Sequence, residues 1–191
     1  MTELPKIGKA ATQALNFIGI HHLEAVSKID KVNLMKLHGV GPKAIKNLQE
    51  ALDDIDLNFA DSVELPFNPP FAILGSLGCD NAPKRRQIRD FIISRTLSDL
   101  VGLQEEVIEQ AEFQYLSDRS YSLEELIDHF NFKPAEISSL QLEMLLSHGK
   151  EGSALSIISL KNGQQIWQAD FFEFSSHSKS AKIKSVQTLL K

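Results

Sequence analysis

The sequence contains one cysteine, Cys79, so it cannot form an internal disulfide. Such sparse cysteine usage is typical of proteins in the reducing cytoplasm. No apolar run approaches the ~20 residues that a membrane helix needs, and the first ten residues lack the apolar segment of a secretory signal. We therefore expect a cytoplasmic protein without a membrane segment.

Excess positive charge is also lacking. The 20 Lys and Arg residues are outnumbered by 25 Asp and Glu residues, which gives a net charge of −5 and excludes a strongly basic DNA-coating protein. Residues 1–60 contain seven lysines and seven acidic residues, so the whole negative excess lies in residues 61–191. The hydrophobic content of 42% and the length of 191 residues fit one or two globular domains.

Catalytic and metal-binding signatures are missing as well. The sequence has no nucleophile elbow, phosphate-binding loop, dinucleotide fingerprint or H-E-x-x-H motif. His21, His22 and His38 have no cysteine nearby and no metal-ligand spacing, so we interpret them as surface or capping residues. These absences favour a non-enzymatic protein with no metal and no cofactor.

Proline divides the chain into two domains. Pro66, Pro69 and Pro70 fall within five positions, which neither a helix nor a central strand tolerates. We predict a helical domain over residues 1–60, an extended linker over residues 61–75 that packs through its apolar side chains, and a second domain over residues 76–191.

The second domain changes from helical to strand patterns along its length. Helical spacing covers residues 83–97 and 99–107, and a Ser122-x-x-Glu125 capping box begins a helix that we extend through Phe130. Strands are predicted over residues 111–116, 140–148, 153–160, 164–174 and 182–190. The GKEG segment at 149–152 and Asn162-Gly163 are hairpin signals. This order predicts an α+β domain whose antiparallel sheet is covered by helices on one face.

The most specific motif is Gly39-Val40-Gly41-Pro42, between two short helical patterns. Glycine permits a sharp turn and a close approach to the backbone, and proline is favoured at the first position of the following helix. The free N–H groups there, those of Gly41, Lys43 and Ala44, would favour a phosphate. A weaker copy occurs at Ile7-Gly8-Lys9, so residues 4–58 are predicted to form two helical hairpins.

Residues 4–58 resemble the C-terminal domain of the bacterial RNA polymerase alpha subunit and related small helix-hairpin-helix proteins. The resemblance implies contact with the phosphate backbone and minor groove of A·T-rich DNA, or with the transcription machinery. Residues predicted to bind nucleic acid are Gly8, Lys9, Gln13, Gly39, Gly41, Lys43 and Ala44. Ala10 replaces the DNA-contacting arginine of that family, and Ala44 replaces a small hydroxyl residue. We therefore expect weak, non-specific binding, and proteins also use such units to contact other proteins.

Residues 76–191 resemble the nuclear-transport-factor-2-like (NTF2-like) superfamily, which includes polyketide-cyclase-like proteins and has a cystatin-like α+β fold. The resemblance rests on the order of elements and on the HGKEG (148–152) and DFFEF (170–174) segments. It implies a strongly curved antiparallel sheet wrapped around helices, a conical pocket and frequent dimerisation through the sheet. Most members bind or scaffold, and a minority are isomerases, cyclases or dehydratases.

An enzyme of this type needs a carboxylate or histidine inside the cone, with a pKa tuned by apolar walls. Asp170 and His148 are weak catalytic candidates, with Glu143 and Tyr115 behind them. Residues 166, 168, 170, 172 and 174 share one strand face and residues 167, 169, 171 and 173 share the other. Both faces are partly apolar, so the pattern does not decide which one lines the cone.

The leading hypothesis is a homodimeric protein whose first domain contacts DNA or transcription machinery and whose second domain dimerises or senses a small ligand. The alternative is a small-molecule-binding protein or an isomerase- or cyclase-type enzyme that uses the cone. In a further alternative, both domains bind only proteins.

Overall fold

The computed structural model describes residues 1–75, 77–78, 82–115, 119–129 and 132–191. Cys79, Leu116 and Phe130, which entered the predictions above, lie outside these residues. Four helices form the N-terminal part, hereafter the helical unit: α1 (Lys9–Phe17), α2 (Leu23–Val26), α3 (Lys31–Lys36) and α4 (Pro42–Asp53). No helix among the described residues is long and apolar enough to cross a membrane.

The helical unit follows from local sequence signals. Pro42 occupies the start of α4, and Ala44, Leu48 and Leu52 repeat every four residues along its buried face. The Asp30 carboxylate caps α3 by accepting the Asn33 backbone N–H at 2.9 Å. These elements surround a core of their own that includes Leu15, Val26 and Leu34.

The rest of the chain forms one mixed α+β unit. Its elements are β1 (Ala72–Gly75), α5 (Pro83–Leu97), α6 (Leu100–Glu106), β2 (Val107–Tyr115), β3 (Ser120–Tyr121), α7 (Leu123–Asp128), a 3-10 turn (Pro134–Glu136), β4 (Ile137–His148), β5 (Glu151–Leu160), β6 (Gln165–Phe174) and β7 (Ile183–Leu190). The Ser122–Glu125 capping box is present at α7. The predicted α+β class with a curved sheet is confirmed.

The seven-stranded sheet has the order β1-β4-β5-β6-β7-β2-β3. Strands β4 to β7 form an antiparallel meander, but β1 pairs parallel to β4 and β2 pairs parallel to β7. The prediction of a wholly antiparallel sheet is therefore wrong at the β1–β4 and β7–β2 pairings. The physical reason is that long connections containing helices separate these partners, and such crossovers permit parallel pairing.

A β-bulge between Leu142 and Met144 reverses which side chains of β4 point to the inner face of the sheet. Leu140 and Leu142 point to the helix-covered inner face and are buried, whereas Met144 and Leu146 lie on the outer face and are exposed. The alternating sequence of residues 140–148 predicts all four on one face, and this prediction is wrong, because one additional residue in a strand moves every later side chain to the opposite face.

Strand β1 comes from the predicted linker and belongs to both cores. Phe71, just before it, and Ile73 pack with α5 in the inner core of the sheet, whereas Ala72 and Leu74 pack in the core of the helical unit. The Ile73 N–H, on the free edge of β1, donates to the Asn33 side-chain oxygen at 2.9 Å. The helical unit is thus fixed to the outer side of the sheet at its β1 edge.

Candidate functional site

The two predicted glycine turns lie in contact. Gly8 and Gly39 have φ angles of 91° and 93°, which favour glycine. A Cβ placed on Gly39 would lie 3.0 Å from the Ala10 Cβ, so the turn before α4 rests directly on the first turn of α1. The Asn47 side chain adds a second link by donating to the Lys6 carbonyl at 2.8 Å.

This contact brings the starts of α1 and α4 to one surface. Neither helix has an acidic residue in its first turn, so the partial positive charge at each helix start is not offset locally. Lys9 and Lys43 are exposed and form no ion pair within the described part of the chain. Gly8, Gln13 and Gly39 are also exposed, Gly41 is half-buried, and the Ala44 side chain is buried in the core of the helical unit.

A polar cluster lies on the inner face of β6 and β7, where α5 covers the sheet. Arg95 of α5 binds Asp170 through two contacts, Nη1–Oδ1 at 2.9 Å and Nη2–Oδ2 at 2.7 Å, and both side chains are 0% exposed. The Thr188 hydroxyl donates to Asp170 Oδ1 at 2.6 Å. The Gln168 side-chain oxygen accepts from Arg95 at 3.1 Å and from Ser156 at 3.3 Å.

Asp170 therefore acts as an ion-pair partner in this structure. Its two oxygens already accept from Arg95 and Thr188, and its side chain is 0% exposed, so a substrate in solution does not reach it in this structure. Burial disfavours the Arg95 cation, but Asp170 more than offsets this effect, so the pKa of Arg95 is raised. Burial also raises the pKa of Tyr115 to about 12.

The spacing of residues along α5 contains a signal for this pair. Arg95 continues the apolar spacing of Ile88, Phe91 and Ile92 along α5, and an arginine on a buried helix face requires a carboxylate partner. Around the cluster, Phe91 stacks on Phe113 with ring centroids 6.0 Å apart and meets Phe172 edge-on at 5.6 Å. Aromatic side chains thus pack beside this cluster on the inner face of the sheet.

Of the other catalytic candidates, Tyr115 is buried and interacts electrostatically with Arg95 and Asp170, whereas His148 and Glu143 lie apart from this pair. His148 is exposed at the end of β4, on the outer face, and Glu143 is exposed as well. His148 borders an open cavity of about 720 Å³ whose lining also includes Leu146, Phe171 and Glu173. The apolar part of the outer sheet face comprises Met144, Leu146, Trp167 and Phe171, which are 41%, 52%, 44% and 49% exposed.

Glu106 is a titratable group that sequence reasoning missed. It ends α6 and is half-buried. Burial, followed by the nearby Asp90 and Glu105 carboxylates, raises its pKa to about 7, while Lys182 and Arg89 act in the opposite direction. Because the folded state favours the protonated form, this group contributes stability below its ordinary pKa of 4.5 and loses it as the pH rises toward 7. Among the described residues, no three His, Cys, Asp or Glu side chains converge as a metal site.

No family model and no curated protein matches the chain. Solved structures with an NTF2-like α+β fold do match its C-terminal part. An NTF2-like protein of unknown function from Burkholderia xenovorans LB400 has 15% identity and a TM-score of 0.47, over 60% of this chain and 87% of that one. A suspected ketosteroid isomerase from Kribbella flavida has 12% identity and a TM-score of 0.45, over 57% and 78%. An NTF2-like protein of unknown function from Cytophaga hutchinsonii has 12% identity and a TM-score of 0.40, over 56% and 88%.

A likeness at this level assigns neither an activity nor a ligand. It also gives no support to nucleic-acid binding by the helical unit. The resemblance of residues 4–58 to the RNA polymerase alpha subunit stays a prediction.

Proposed function

We propose that the helical unit is a double helix-hairpin-helix module that binds the phosphate backbone of nucleic acid, and that the protein acts by binding rather than by catalysis. The observation that carries this proposal is the contact of Gly39 with Ala10. It places two helix starts without acidic residues, each with an exposed lysine, on one surface. Helix N-termini with free N–H groups are suited to phosphate.

The distribution of charge within the helical unit supports the same surface. The acidic residues Asp53, Asp54 and Asp56 lie at the far end of α4, about 18 Å from its start at 1.5 Å per residue. They therefore repel a phosphate at Lys43 only weakly once salt screens the interaction. Ala10, at the contact between the turns, offers no side-chain donor, so we propose backbone-directed binding without sequence preference.

We extend this proposal to a homodimer that pairs through the outer sheet face. Four large apolar side chains are exposed there, on β4 and β6, and such patches commonly mark interfaces. A dimer would present two helical units to one duplex. Linkage of two weak sites raises the overall affinity by roughly 10²–10⁴ when both can engage together.

The test is fluorescence anisotropy of the full chain with labelled 20-base-pair duplexes, one A·T-rich and one of mixed sequence. We expect both duplexes to bind at 50 mM salt, with the affinity falling as salt rises. The double variant Lys9→Gln/Lys43→Gln should bind at least tenfold more weakly, and its slope of log K against log salt should be shallower by about 2. Lys179→Gln, which removes an exposed lysine far along the chain, is the matched control. Absence of binding at 50 mM salt, or equal losses in the control, would overturn the proposal.

A second candidate function is small-molecule binding inside the cone. It is favoured by the Gln168 side-chain nitrogen, which is fully buried and has no hydrogen-bond acceptor among the described residues. Buried donors are rarely left without an acceptor, so the oxygen of a small ligand would satisfy it. The fully paired Asp170 makes this a binding role rather than proton transfer.

Cyclohexanone is a suitable probe because it combines an apolar ring with one acceptor oxygen. A concentration that contributes about 1 kcal/mol should raise the thermal midpoint by about 2–4 °C. Gln168→Leu should abolish that rise, whereas Gln187→Leu, an exposed glutamine on β7, should retain it. A midpoint that does not move, or that moves equally in Gln168→Leu, would remove this second function.

A further inference from the structure

A cleft lies where the helical unit meets the sheet, hereafter the junction cleft. Its walls come from the turn after α1, the end of α2, and the edge formed by β1 and β4. It encloses about 460 Å³, within the roughly 300–1,000 Å³ typical of small-molecule sites. A second cavity of about 190 Å³ adjoins it and shares Lys28, Ile29, Leu74 and Gly75 with it.

The junction cleft has one aliphatic wall and one polar rim. Ile18, Ile20 and Leu74 line the junction cleft with aliphatic carbon and are otherwise buried. Its polar side chains are Lys28 and Gln141, and its lining contains no acidic residue. Lys28 is exposed at the rim and forms no ion pair with the residues that the structure describes. An apolar cavity bordered by one available cation selects a ligand that has an apolar body and an anionic head.

Acidic residues are confined to the smaller cavity, whose lining includes Asp30 and Asp61. Asp30 is occupied, because its carboxylate caps α3 and binds both the backbone and the side chain of Asn33. An anionic head in the smaller cavity would meet these carboxylates. The charges therefore orient the ligand, with its head at Lys28 and its apolar end toward Ile18 and Ile20.

We propose that the junction cleft binds a medium-chain aliphatic carboxylate, with the chain along the isoleucine wall and the carboxylate beside Lys28. The site is separate from both the paired turns and the cone, so a test of this proposal does not depend on whether the protein binds nucleic acid. Such a ligand contacts the core of the helical unit through Ile18, Ile20 and Leu74 and the edge of the sheet through Gly75 and Gln141. Its binding would therefore stabilise the attachment of the helical unit to β1 and β4.

Decanoate, kept below its micellar concentration, is the probe, and isothermal titration of the full chain is the measurement. Burial of each additional CH₂ contributes up to about fourfold in affinity, so decanoate should bind about tenfold more tightly than octanoate. Lys28→Met should weaken decanoate about fivefold and leave the neutral analogue decanol unchanged. Ala25→Phe, which adds a ring to the cleft wall, should abolish binding of both.

Phe171→Ser is the matched control, because it removes an exposed apolar side chain from the outer sheet face and leaves the junction cleft intact. Decanoate binding should persist in this variant. No binding of decanoate at 1 mM, or binding that survives Ala25→Phe but is lost in Phe171→Ser, would overturn the proposal. Equal losses of decanoate and decanol in Lys28→Met would overturn the assignment of an anionic head. Lys28→Met changes only an exposed side chain, so it decides the question even if Ala25→Phe does not fold.

Discussion

Replacing Arg95 with Met is expected to lower the free energy of unfolding by about 3–5 kcal/mol. The substitution keeps an apolar side chain of similar length but leaves the Asp170 carboxylate fully buried without its cation. An unpaired buried charge is far less stable than the same charge in water. Urea unfolding at pH 7, followed by circular dichroism, measures the loss directly.

The double variant Arg95→Met/Asp170→Leu is expected to recover most of that stability, because neither charge then remains in the core. Lys184→Met is the matched control. It breaks the Lys184–Glu173 pair, which has a similar distance of 2.9 Å but lies at the surface, and exposed pairs contribute little. If Arg95→Met changed stability no more than Lys184→Met, the buried pair between α5 and β6 would not contribute to stability as argued from its burial.

Gly75→Ala is expected to destabilise the protein by about 3 kcal/mol or more. Gly75 ends β1 with a φ of 108°, and a Cβ there would approach the Leu142 carbonyl oxygen to 2.1 Å. That oxygen belongs to the backbone of β4, so β1 would have to separate from β4. Thermal unfolding and hydrogen exchange at residues 72–75 would detect the effect.

Gly163→Ala separates the two causes. Gly163 has a similar φ of 93°, but a Cβ there would meet no atom within 4 Å. This variant therefore tests backbone strain alone, which costs about 1–2 kcal/mol. Equal effects of the two substitutions would show that the contact between Gly75 and Leu142 is not decisive.

The parts of the fold that sequence predicted are those fixed by neighbouring residues. Pro42 and Pro83 mark helix starts, Ser122 and Glu125 form a capping box, and Asn162-Gly163 turns one hairpin. Each of these signals acts within a few residues. Local chemistry therefore predicted the helices and the antiparallel meander.

Features that depend on distant residues could not be predicted from local sequence patterns. The bulge after Leu142 adds one residue to an otherwise regular alternation, and only pairing with β5 shows it. Asp170 and Arg95 are 75 residues apart, so the spacing within β6 could not identify the partner of this carboxylate. The glycine turns were predicted from their residues, but the contact between Gly39 and Ala10 required the packing of two separate hairpins.

Residues 71–74 contribute side chains to both hydrophobic cores, and this limits where the chain can be divided into fragments. A fragment that stops at residue 60 lacks Ala72 and Leu74, which are part of the core of the helical unit. A fragment that starts at residue 76 lacks β1, so β4 becomes an edge strand with unpaired backbone N–H and C=O groups. Such an exposed edge promotes aggregation. Each of the two parts of the chain would therefore keep its core in a separate protein only if β1 were included in both.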